Sequence, residues 1–192
     1  MDAFFEWLVA ADEKLFLLLN SIHNSFFDSV MYWASSRWLW IPFYAWILYR
    51  IYKLFGKKTI TILGLTVLLI AASDQLSSNV IKDAVERPRP CHEASLQGKV
   101  HLVNNHCGGA FGFVSSHAAN CFALLSFLFL LARSKDKRLI QLLAAWAILV
   151  SYSRIYLGVH YPGDVIAGAV LGIMLGKIFS MIYFRLQPSK QP

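Results

Sequence analysis

Residues 59–81 read TITILGLTVLLIAASDQLSSNVI, a run in which Asp74 is the lone charged side chain. At about 1.5 Å of rise per residue, a helix of this length crosses the roughly 30 Å hydrocarbon core of a bilayer. The apolar residues are continuous rather than alternating, which disfavours a strand of a membrane β-barrel. The polar residues collect at one end, where Asp74, Gln75, Ser77, Ser78 and Asn79 lie together. An acid inside a membrane segment is costly, so it marks either a functional group or a brace for neighbouring helices. The expected role of Asp74 is to brace Lys82 or Arg154.

Four further segments, residues 38–54, 115–131, 139–157 and 163–184, repeat the pattern. The composition agrees. Hydrophobic residues make up 57% and charged residues 15% of the 192 residues, against roughly 45–50% and 25% in soluble domains. Mean hydropathy is +0.50. A soluble domain of this length could not hide so much apolar surface, and the same surplus excludes disorder. The net charge of +7 could suggest a nucleic-acid partner, but in a membrane protein such an excess marks cytoplasmic loops.

The first 37 residues differ. Asp2, Glu6, Asp12, Glu13 and Lys14 interrupt the apolar pattern, which predicts an amphipathic helix over residues 4–20 lying at the interface. A second short helix over residues 26–35 would dip into the membrane or complete a sixth span. The acidic start lacks the basic region of a cleavable signal peptide. The aromatics Trp33, Trp38, Trp40 and Tyr44 suit an interfacial belt. The expected fold is all-α: a polytopic transmembrane helix bundle of five to six spans with an amphipathic N-terminal helix, in one membrane-embedded domain over residues 1–192. Residues 188–192 are expected to form a short disordered polar tail.

Lys and Arg set the orientation. Arg50, Lys53, Lys57 and Lys58 join the first two long spans, Arg133, Lys135, Lys137 and Arg138 join the third and fourth, and Arg185 and Lys190 follow the last. These regions fall on one side, which is therefore cytoplasmic. The loop of residues 82–114 and the turn of residues 158–162 are then extracytoplasmic, and three polar clusters meet there. Residues 82–90 read KDAVERPRP, residues 115–117 read SSH, and Ser153-Arg154, His160 and Asp164 bracket the last turn.

Phosphate handling suits these residues. Lys82, Arg89 and Arg154 are cations near a membrane and need an anion; an arginine fork matches phosphate oxygens, and lysine adds a point charge. Ser115 has the character of an N-cap and Pro162 that of a first-turn proline, so two helix N-termini would face the same place and favour an anion. An imidazole can attack phosphorus or carry a proton near neutral pH. Asp164 follows His160 by four residues; if that stretch is helical, the carboxylate can hold the ring in one tautomer.

These motifs resemble the type 2 phosphatidic acid phosphatase family, whose pattern is K-x6-R-P, then P-S-G-H, then S-R-x5-H-x3-D. Lys82 with Arg89-Pro90 matches the first, and Ser153-Arg154, His160 and Asp164 match the third. The second departs, since Val114 stands for Pro and Ser116 for Gly. The resemblance covers residues 38–184. It implies that His160 is the nucleophile of a phosphohistidine intermediate and that Asp164 orients it. His117 would protonate the leaving group and then activate water. Lys82, Arg89, Ser115 and Arg154, with the Ser116 N–H, would hold the phosphate oxygens. No metal or other cofactor is expected. Arg87 lies outside the motif and is expected at the surface or on a headgroup.

Cys91 and Cys107 share the outer loop. A disulfide in an oxidising compartment ranks first for them, ahead of free thiols and of a zinc site with His92, His101 or His106. The expected activity is dephosphorylation of a lipid phosphate or pyrophosphate at the outer face of a bacterial inner membrane. Undecaprenyl pyrophosphate leads as substrate, and phosphatidylglycerophosphate, phosphatidic acid and lipid A phosphate are close rivals. Lipid-to-lipid phosphotransfer and non-catalytic lipid binding are the alternatives, with no nucleic-acid partner.

Overall fold

The computed structural model describes residues 2–187, so the expected tail lies outside the described residues. The described residues contain no strand, only one isolated bridge between Pro88 and Phe111. The helices are α1 (Asp2–Asn20), α2 (Ser25–Ser35), α3 (Ile41–Phe55), α4 (Thr59–Gln75), α5 (Lys82–Val85), α6 (Ser116–Ala132), α7 (Lys137–Tyr156) and α8 (Pro162–Leu186). A π-helical segment, Leu76–Ile81, joins α4 to α5. The expected second span thus changes its winding where its sequence turns polar.

Local chemistry sets the boundaries. The Asn24 side chain accepts from the Phe27 N–H at 2.9 Å and opens α2. Pro42 occupies the first turn of α3, where it removes no helical hydrogen bond. The carboxylate of Asp136 accepts from the Leu139 N–H at 3.0 Å and opens α7. Pro162 begins α8. The stretches Ile41–Val85, Lys137–Tyr156 and Pro162–Leu186 are long and apolar enough to cross a membrane, and α6 is a shorter apolar helix. The 11 residues of α2 reach only about 16 Å, too little to form a sixth span alone.

The core runs along α6 and α8. Gly168, Gly172 and Gly176 lie four residues apart on α8 and face the backbones of Ser115, Ala119 and Ala123. Lipid tails are as apolar as leucine, so helices in a membrane gain chiefly from close packing, which small residues allow. Phe127 and Leu128 of α6, Leu143 and Trp146 of α7, and Ile62 and Leu69 of α4 fill the remaining interior.

The two ends of the bundle differ in kind. At one end Arg50 pairs with Asp136, and Lys135 lies over the Phe55 ring, 4.4 Å from its centroid. Gln187 bonds to Thr61 there as well. This end gathers the basic connections, as the sequence predicts. The opposite end carries the loop between α5 and α6, folded in short turns. Cys91 and Cys107 are joined in it, with Cα atoms 5.9 Å apart. The Arg89 N–H donates to the Ala110 carbonyl and the Gly112 N–H to the Arg87 carbonyl, so the loop doubles back on itself.

The N-terminal helix is more than an amphipathic cover. Phe16 is fully buried and meets Tyr161 edge to face, with ring centroids 5.4 Å apart. Asn20 is buried too, and its amide donates to the carbonyls of His101, Ile155 and Tyr156. Four aromatic or aliphatic side chains near its start, Phe4, Phe5, Trp7 and Leu8, remain exposed.

Candidate active site

The three polar clusters converge at the loop-bearing end of the bundle. The π-helical segment and α5 contribute the first group. Ser78 Oγ lies 2.8 Å from Ser116 Oγ, and Lys82 Nζ donates to the same Ser116 oxygen at 3.1 Å. Ser78 lies within the π-helical segment and Lys82 directly after it, at the start of α5. Asp74 is exposed and lies within electrostatic range of Lys82.

Arg89 is buried in the loop. Its Nε donates to the Phe111 carbonyl at 3.1 Å and an Nη to the Val159 carbonyl at 3.4 Å. Burial lowers its pKa, against the opposing pull of Asp164. Arg154, in the last turn of α7, donates to the Ser35 hydroxyl of α2 through one Nη, while its Nε is buried without a protein partner.

Ser115 stands at the N-cap position of α6, as expected, but its side chain makes no capping bond. Its N–H donates to the Asp164 carbonyl at 2.9 Å, which ties α6 to α8, and its buried hydroxyl has no protein partner. His117 follows in the first turn, exposed, within electrostatic range of Arg154, His160, Lys82 and Arg89.

His160 is only 2% exposed, and Asp164 is fully buried. They do not share a helical face: His160 precedes α8, and Asp164 sits in its first turn. One oxygen, Oδ2, accepts from the Tyr161 N–H at 3.0 Å and lies 3.4 Å from His160 Nδ1. Burial pushes the His160 imidazole well below its ordinary pKa, reinforced by the charges of Arg89, Arg154 and Lys82, so the ring is neutral at physiological pH. Gly112 closes over this pair. A Cβ there would stand 3.0 Å from Asp164 Oδ2, a tight contact that glycine avoids.

The structure thus brings Lys82, Arg89, Ser115, Ser116, His117, Arg154, His160 and Asp164 to one place. Arg87 joins them, contrary to its expected surface position, because Asp164 and Asp12 draw it inward; its Nη1 donates to Asp164 Oδ1 at 2.8 Å. Its place in the sequence two residues before Arg89 was the available signal. Asp12 gave none beyond being an acid on an amphipathic helix. Cys91 and Cys107 are joined to each other, so neither offers a thiolate to a zinc ion beside His92, and His101 is engaged with Asp28 at 2.8 Å.

The sequence model of the PAP2 superfamily matches residues 63–188. The lipid A 4'-phosphatase of Bacteroides thetaiotaomicron is 39% identical over 183 residues, 94% of this chain and 80% of that protein. The undecaprenyl-diphosphatase BcrC of Bacillus subtilis is 30% identical over 173 residues, 88% of this chain and 81% of that protein. The crystal structure of a transmembrane PAP2-type phosphatidylglycerolphosphate phosphatase from Bacillus subtilis superposes with a TM-score of 0.69. It is 23% identical and covers 95% of this chain and 89% of that one. The chain is an integral membrane protein, and it belongs to the PAP2 superfamily, the phosphatase family that its three motifs resemble.

Proposed function

We propose that this protein removes phosphate from a glycolipid of the lipid A class at the outer face of a bacterial inner membrane, through a phosphohistidine. The observation that carries the reading is the buried His160 beside Asp164, with Lys82, Arg89 and Arg154 within electrostatic range. The choice of lipid rests on the near full-length similarity to a lipid A 4'-phosphatase. The outward orientation rests on the basic connections gathered at the opposite end of the bundle.

In this mechanism Asp164 accepts a hydrogen bond from the Nδ1–H of neutral His160, which leaves Nε2 with its lone pair free. Nε2 attacks phosphorus as the bond to the sugar oxygen breaks, and His117 gives that oxygen a proton. His117 then takes a proton from water, whose oxygen attacks the phosphohistidine and restores Nε2. The unpartnered Ser115 hydroxyl and Arg154 Nε, together with Lys82 and Arg89, receive the phosphoryl oxygens. Fixed donors and charges of this kind supply most of the acceleration in phosphoryl transfer.

The test is phosphate release from purified lipid A, undecaprenyl pyrophosphate and phosphatidylglycerophosphate, with His160→Ala as control. Lipid A is expected to turn over fastest and the variant to be inactive. Undiminished release by His160→Ala would sink the mechanism. Faster release from undecaprenyl pyrophosphate would move the substrate to the diphosphate class, which the BcrC similarity favours.

A further inference from the structure

Arg87 lies between two acids. Its Nη1 donates to Asp164 Oδ1 and its Nη2 to Asp12 Oδ2, both at 2.8 Å. The guanidinium stacks over the Tyr161 ring, 4.0 Å from its centroid. Asp12 reaches in from α1, and its Oδ1 accepts from the Gly163 N–H at 2.8 Å, in the first turn of α8. The side chains of Arg87, Asp12 and Asp164 are 20%, 16% and 0% exposed.

A buried carboxylate is stable only when paired with charge and hydrogen bonds. Asp164 Oδ2 is occupied by the Tyr161 N–H and faces His160. Arg87 is the hydrogen-bond partner of Oδ1, and it supplies the countercharge. The guanidinium fork is itself fixed on three sides, by Asp164, Asp12 and Tyr161. Two of the five guanidinium N–H donors are committed to these acids, which sets the orientation of the fork.

We infer that Asp12 and Arg87 are a positioning pair, which fixes the Asp164 carboxylate and through it the ring of His160. The N-terminal helix α1 is thereby part of the catalytic apparatus. This inference rests on the reading of His160 as the nucleophile. It assigns Arg87 to orientation rather than to the phosphate, and it gives an acid 151 residues from Gly163 in sequence a role in the reaction.

The experiment uses the full-length protein in detergent micelles with purified lipid A. Steady-state kinetics, competitive inhibition by inorganic phosphate and thermal unfolding are measured for Arg87→Gln, Asp12→Asn, Asp12→Glu and the Asp12→Asn/Arg87→Gln double variant. Arg87→Gln is expected to lower kcat on the order of a hundredfold, because misplacing a reacting group by about an ångström costs that much. Asp12→Asn is expected to lower it about tenfold, the loss of one hydrogen bond to a charged group. KM and the phosphate inhibition constant stay at wild-type values, Asp12→Glu recovers part of kcat, and the double variant is no slower than Arg87→Gln. A rise in KM and in the inhibition constant with kcat retained would make Arg87 a phosphate ligand and overturn the inference, as would a wild-type kcat for Asp12→Asn. Retained turnover in His160→Ala would instead refute the reading of the site. The unfolding temperatures then decide on the pair alone: coupling between the two substitutions supports it, and strict additivity overturns it.

Discussion

Gly172 of α8 lies against the backbone carbonyl of Ala119 in α6, with no room between them for a methyl group. These two helices carry Asp164 and His117, so the contact sets the distance between the candidate catalytic groups as well as the packing. Gly172→Ala would drive the helices apart and is expected to cost about 1–3 kcal/mol, the usual range for overpacking. Gly64 in α4 is the internal control, because nothing lies within 4 Å of a Cβ placed there. Gly64→Ala should be neutral or raise stability by up to about 1 kcal/mol, through helix propensity. Thermal unfolding in detergent compares them. Equal midpoints for Gly172→Ala and wild type would show that the seam yields without cost.

Much of this molecule was legible because its information is local. The spacing of Lys82 to Arg89 and of Arg154 to His160 and Asp164 is written along the chain, and loop charge alone placed the clusters at one end. What escaped is what depends on distant segments meeting. Asp12 reads as one more acid on an amphipathic helix until α1 docks through Phe16 and Asn20. Ser35 reads as the end of a short helix until Arg154 reaches it. The four-residue spacing of Gly168, Gly172 and Gly176 was visible, but in an apolar run it reads simply as membrane helix. Helical winding also hid the π-turn before Lys82, since no period in the sequence distinguishes it from a polar helix end.

The Cys91–Cys107 link closes a loop that Arg89 precedes by two residues and Gly112 follows by five. Closing a loop of this length stabilises by about 3 kcal/mol in the chain-entropy account. Under denaturing conditions without reductant, alkylation should add mass at one cysteine, the buried Cys121. After reduction it should add mass at all three. Three alkylated cysteines before reduction would rule the bridge out. Cys91→Ser should lower the unfolding temperature and reduce turnover, because the loop would no longer hold Arg89 against the Val159 carbonyl.

Ser116 stands where the family pattern has glycine, and its hydroxyl meets both Lys82 and Ser78. It engages one proton of the lysine ammonium, and in the proposed mechanism the others are left for a phosphate oxygen. A hydrogen bond to a charged group is worth about 1.5–3 kcal/mol, so Ser116→Gly should lower kcat/KM by about tenfold or more. Ser78→Ala should have a smaller effect, since Lys82 would keep its Ser116 contact. Lipid A turnover measures both. A Ser116→Gly enzyme as fast as wild type would mean that Lys82 is positioned without this hydroxyl.

The depressed pKa of His160 also has a consequence for stability. Its ordinary value is 6.5, and burial, followed by the charges of Arg89, Arg154 and Lys82, holds it well below that in the folded protein. As pH falls through 6.5, the unfolded chain takes up a proton that the folded protein refuses. Stability therefore falls with pH across this window, whereas above it His160 contributes no slope. The unfolding midpoint should decline as the pH is taken from about 7 to about 5. His160→Gln, which cannot be protonated, should show a shallower decline. An identical decline in both proteins would mean that His160 accepts a proton in the folded state as readily as in the unfolded chain, and the neutral nucleophile would lose its physical basis.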